Sequence, residues 1–91
     1  MTLELTWRLI GILVVDARLR NAAGGLELIG RYWRQPSGWH RQEDFSDWHK
    51  RASLAMCLEE GIGLARPGVS VDERRALAAA AVMKLETEVG L

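Results

Sequence analysis

Residues 2–20 alternate with a period of two, and no other feature limits the fold of this chain as strongly. The odd positions read Leu3, Leu5, Trp7, Leu9, Gly11, Leu13, Val15, Ala17 and Leu19. The even positions begin Thr2, Glu4, Thr6, Arg8 and end Asp16, Arg18, Arg20. Alternation of this kind sends one set of side chains to a buried sheet face and the other to solvent. At Ile10, Ile12 and Val14 the even face turns apolar as well, which predicts a centre covered on both sides. Gly11 is suited to a bulge or bend that divides one long strand into two. Leu3, Trp7, Ile10, Val14 and Ala17 also fit a single helical stripe, so an all-α chain is the competing fold. The β-branched cluster Ile10, Ile12, Val14, Val15 favours strand.

Turn chemistry extends the sheet. Asn21-Ala22-Ala23-Gly24-Gly25 reads as a turn whose glycines accept positive φ. Leu26 to Arg34 returns as a second strand. Gln35-Pro36-Ser37-Gly38 has Pro and Gly where a type I turn wants them, and Trp39 to Asp44 is a candidate third strand at the edge. The second half is helical. Ser46 or Asp47 can cap a helix over residues 46–62, with Trp48, Ala52, Ala55, Leu58 and Ile62 on one stripe. Gly61, Gly63, Pro67 and Gly68 then break the chain. Ser70 and Glu73 have capping-box spacing ahead of a helix over 70–89 that ends at Gly90. Its main stripe is Val71, Ala78, Ala81, Val82, Leu85 and Val89. The expectation is an α+β domain, a small antiparallel sheet of two or three strands packed by two C-terminal helices, in the order β-β-(β)-α-α. Ninety-one residues suit one domain of this size, with residues 1–45 as the strand meander.

Composition narrows the function. Twelve basic and twelve acidic residues cancel, which argues against a domain built to neutralise phosphate. Cys57 is the single cysteine, so an internal disulfide and a cysteine-rich zinc site are excluded, and a reducing cytoplasm is the simplest setting. The longest apolar run, residues 9–15, is far shorter than the roughly 20 residues that span a bilayer. No secretory signature precedes it, so no membrane association is expected.

Five of the six aromatic residues and both histidines fall within residues 31–51. Aromatic rings beside Arg carry much of the energy at recognition surfaces. Trp33, Phe45 and Trp48 fit core positions, whereas Trp39 has only Gly38, His40, Arg41 and Gln42 around it and reads as exposed. The expected partner-binding residues are therefore Arg34, Trp39, His40 and Arg41. Glu43, Asp44 and Asp47 thread the same segment and shift the expected partner from nucleic acid toward protein. A nucleic-acid-binding accessory or regulatory role is the alternative, since rings and Arg together suit unpaired bases. On the last helix, Ala76, Ala79, Ala80 and Met83 form a second apolar strip, a possible homodimer or secondary interface. Cys57 falls on the polar side of the first helix, which suggests a second packing surface or an accessible thiol.

No catalytic elbow, phosphate-cradling loop or zinc-ligand spacing is present, and the two histidines, nine residues apart, match no compact metal pattern. The reading is non-enzymatic, with no cofactor and no metal. It describes a small cytoplasmic protein that binds another protein. In size and lack of catalytic motif the chain is similar to small phage or mobile-element inhibitors that occlude a host complex.

Overall fold

The computed structural model describes residues 1–36, 38–41 and 53–90. Its elements are β1 (Thr2–Leu9), β2 (Leu13–Arg20), β3 (Leu26–Gln35), β4 (Gly38–Arg41), α1 (Leu54–Ala65) and α2 (Val71–Val89). The four strands form one antiparallel sheet in the order β1-β2-β3-β4, followed by the two helices. The fold is α+β, and the all-α alternative does not hold.

The sheet has four strands because Gly11 does more than bend the chain. With φ at +85° it reverses direction, so that Leu9 pairs with Leu13 and the long alternating segment closes into a hairpin. Residues 10–12 are consequently the hairpin tip. Ile10 is 67% exposed and Ile12 is exposed too, so the expected covering of both faces is corrected at the tip, whereas it holds at Val14, which is buried. The β2–β3 turn is held by Asn21, whose side-chain oxygen accepts from the Gly25 N–H at 2.8 Å while Gly24 takes φ +90°.

Register fixes which residues share a face, because residues opposite one another across an antiparallel pair project to the same side. Leu3, Leu5, Trp7 and Leu9 lie opposite Leu19, Ala17, Val15 and Leu13. Tyr32 lies opposite Val15, and Trp39 opposite Arg34, on that same inner side. The helices pack here. Leu13, Val15, Ala17, Leu19, Tyr32 and Trp39 join Leu54, Leu58, Ile62, Ala78 and Leu85 in one core cluster. Between Ala17 and Arg18 the register with β3 slips by one residue, which leaves Ile29 unpaired and turned into the core.

Ser53 caps α1 through a bond from the Met56 N–H at 3.3 Å, so this helix starts at Leu54 rather than at residue 46. The proposed caps Ser46 and Asp47, together with Phe45, Trp48, His49 and Ala52, lie outside the described residues. Gly61 and Gly63 do not end the helix; both are inside it. Tyr32 and Arg74 occupy the space that side chains there would fill. Cys57 is buried, not on a polar surface, because α1 is packed by the sheet on one side and by α2 on another. α2 begins at Ser70, which accepts from the Glu73 N–H at 3.1 Å, and ends at Gly90 in the left-handed conformation.

Candidate functional site

The β1–β2 hairpin tip and the β3–β4 turn lie at the same end of the sheet, and the start of α1 and the second half of α2 approach them from the helical side. Among the described residues these elements enclose an open cleft of about 960 Å³. Its floor is apolar: Leu13, Trp39, Leu54, Val82 and Leu85. Its rim carries Leu9 and Ile12 from one hairpin, Arg34, Gln35 and Pro36 from the other, and Glu86 from α2. A concave apolar floor with a few polar groups at its edge is the usual form of a binding site. Leu9 is 70% exposed and Ile12 40%. Branched apolar residues at a hairpin tip cost solubility unless something covers them.

The four residues expected to bind a partner do not form one patch. Arg34 and Trp39 face each other across β3 and β4 and both line the cleft. Trp39, however, is only 8% exposed, which corrects the expectation of an exposed anchor. It lies on the helix-facing side of β4, in the core cluster with Leu13, Leu54 and Leu85, so it forms the wall of the site. His40 points to the opposite face, across from Trp33, and is also buried. Arg41 is half-buried, opposite Tyr32 and further from the turn. The rim residues Leu9, Ile12 and Glu86 were not legible as a site. The available signal was Gly11 between two isoleucines, a turn residue in apolar company.

The outer face of the sheet has its own chemistry. Asp16 is 3% exposed at its centre, in the strand flanked by β1 and β3. Arg31 donates to it at 2.6 and 3.2 Å and Arg8 at 3.2 Å, while the Arg18 guanidinium lies 3.8 Å away. The Arg31 hydrogen bonds hold the Asp16 carboxyl below its ordinary value, against the opposing effect of burial. Arg20 binds Glu4 at 2.5 Å on the same face, and this hydrogen bond likewise lowers the Glu4 pKa. Among the described residues, four arginines thus share two carboxylates.

Ala76, Ala79, Ala80 and Met83 are all exposed on α2. Ala76 and Ala80 line a shallow groove of about 370 Å³ with Thr2, Leu3, Leu77 and Lys84, along the edge of β1 that pairs with no strand among the described residues. No helix among the described residues is long and apolar enough to cross a membrane. No protein-family model, curated protein or solved structure matches this chain.

Proposed function

We propose that this chain is a non-enzymatic module that binds another protein by taking an apolar segment of it into the cleft between the two hairpin tips. The observation that carries this reading is the exposed apolar rim, Leu9 and Ile12, around a floor already built from Trp39, Leu54 and Leu85. A partner side chain entering there removes apolar surface from water at about 25 cal/mol per Å². Arg34 and Glu86 stand at the edge, where charge selects orientation more than it adds affinity. The fitting role is occlusion, in which a small cytoplasmic protein covers the working surface of a larger complex, as a phage or mobile-element inhibitor does.

A tagged chain in lysate of the cells it comes from should retain one stoichiometric protein. Ile12→Asp and Arg34→Glu should each release it, whereas Leu28→Asp, likewise exposed apolar surface but on the outer sheet face, should not. Retention by both cleft variants would overturn the assignment.

A second reading is favoured by the outer face. Among the described residues, Arg8, Arg18, Arg20 and Arg31 against Glu4 and Asp16 leave it basic beside the half-buried Trp33, an arrangement suited to single-stranded nucleic acid. Such binding would appear as a gel shift at low salt that weakens steeply as salt rises, and no shift at low salt would remove it.

A further inference from the structure

We propose that a second copy of this chain docks antiparallel on the free edge of β1, joining the two sheets about a two-fold axis at Thr6. The inference rests on the β1 edge and not on the proposed occupant of the cleft, although Leu9 belongs to both surfaces. Among the described residues β1 pairs with β2 alone, so its other edge presents a row of backbone donors and acceptors. Edge strands are normally blunted by shortness, charged side chains, Pro or a bulge. β1 is eight residues long, contains no Pro and keeps an unbroken register with β2, and its two charges, Glu4 and Arg8, are of opposite sign. β4, at the opposite edge, has four residues among those described.

The sequence of β1 is complementary to itself when it is reversed about Thr6. Antiparallel pairing centred there sets Glu4 opposite the partner's Arg8, twice, by symmetry. On the inner face it sets Leu3 opposite the partner's Leu9 and Leu5 opposite the partner's Trp7. The outer-face charges then alternate without interruption across the junction: Arg31, Asp16, Arg8, the partner's Glu4, the partner's Arg20. Each half of that row is already formed within one chain, through the Arg31–Asp16, Arg8–Asp16 and Arg20–Glu4 pairs. Centring one residue earlier, on Leu5, sets Glu4 opposite Thr6 and Arg8 opposite Thr2, and no charge is matched.

The groove beside β1 supplies a separate fit. Its apolar lining includes Leu3, Ala76, Leu77 and Ala80, with Glu73 and Lys84 also on it, and in the Thr6-centred register the partner's Leu9 lands opposite Leu3, at its mouth. Leu9, 70% exposed in the single chain, is the side chain most in need of cover there. The small side chains of Ala76 and Ala80 leave the space that it enters. The Ala-rich face of α2 is therefore the flank of the interface, and the β1 edge is its centre.

Sedimentation equilibrium of the full chain should give twice the chain mass of 10.2 kDa. Leu9→Lys should weaken association at least about tenfold, equal to roughly 1.4 kcal/mol, with an unchanged circular dichroism spectrum. Thr6→Cys should cross-link into a covalent dimer under mild oxidation. Self-opposed residues sit about 4.5–5.5 Å apart at Cα, within disulfide reach. The unsubstituted chain, whose Cys57 is buried, should stay uncross-linked. A monomer at about 100 μM, an affinity too weak for a specific dimer, overturns the proposal. Cross-linking by Leu5→Cys in place of Thr6→Cys overturns it as well.

Discussion

The hydroxyl of Tyr32 occupies the position that a side chain on Gly61 would take, so the sheet and α1 meet through the absence of a single Cβ. Tyr32 is fully buried, and Gly30 leaves the same room on the strand side. The ring is rigid and held from both sides, so it has nowhere to retreat. Gly61→Ala gains helix propensity of up to about 1 kcal/mol but incurs overpacking, and a net loss of about 1–2 kcal/mol is expected in urea unfolding. Tyr32→Phe removes the obstructing atom, so the double variant should recover part of that loss through coupling of about 1 kcal/mol. Gly68→Ala has open space around it and should change stability by no more than about 0.5 kcal/mol. Additive effects of Gly61→Ala and Tyr32→Phe would show that the contact does not limit the packing.

Asp16 should dominate the acid stability of the sheet. Its folded-state pKa lies below the ordinary 3.8, first because of the Arg31 hydrogen bonds and then because of Arg8. A depressed carboxyl pKa contributes stability that is fully present above the unfolded value and disappears as pH falls through the folded one. The loss therefore belongs below about pH 4, not near neutrality. Asp16→Asn leaves three arginines without their common anion and should cost about 2–3 kcal/mol at pH 7, the partial exposure of those arginines reducing the full buried-pair penalty. The variant should also show a flatter stability curve between pH 4 and 2. An acid limb as steep as that of the unsubstituted chain would place the titrating group elsewhere.

The legible part of this fold is the part governed by local rules. The strand character of residues 2–9 and 13–20, the Asn21–Gly25 turn and the Ser70–Glu73 cap each depend on neighbours within a few residues, and each occurs in the structure. What was not legible depends on contacts distant in sequence. Gly61 and Gly63 read as breakers, yet they are helical because Tyr32 and Arg74 need the space. Cys57 read as polar-facing because a wheel assumes one buried side, and α1 has contacts with both the sheet and α2. Trp39 read as exposed for want of apolar neighbours in sequence, while its company, Leu13, Leu54 and Leu85, comes from three other elements. The cleft inherits the same limit: Arg34 and Trp39 were visible, but the rim that meets them comes from a hairpin some 25 residues away.

Trp39 and Arg34 should separate stability from recognition. They lie opposite one another, but one is core and the other exposed. Trp39→Ala removes a ring from the core cluster and should cost about 3–5 kcal/mol, a large share of what a domain this small has available. Arg34→Ala should stay within about 0.5 kcal/mol of the unsubstituted chain. Partner capture lost only in Trp39→Ala, in parallel with its folded fraction, would reduce the cleft to a packing feature. Loss in Arg34→Ala at full stability would make it a contact.

Cys57 offers a reading of the helical layer that needs no partner. Its side chain is 4% exposed and belongs to the core cluster with Leu54 and Leu58. A thiol reacts as thiolate and only where reagent can reach it, so burial makes it inert. In native buffer a thiol-specific reagent should label it slowly, at the frequency with which α1 separates from the sheet. The rate should rise through the urea transition in step with loss of the helical signal, and Gly61→Ala should speed it about fivefold to thirtyfold if 1–2 kcal/mol is lost. Rapid stoichiometric labelling in native buffer would mean that the thiol faces solvent, returning it to the surface that its place on the helical wheel suggested.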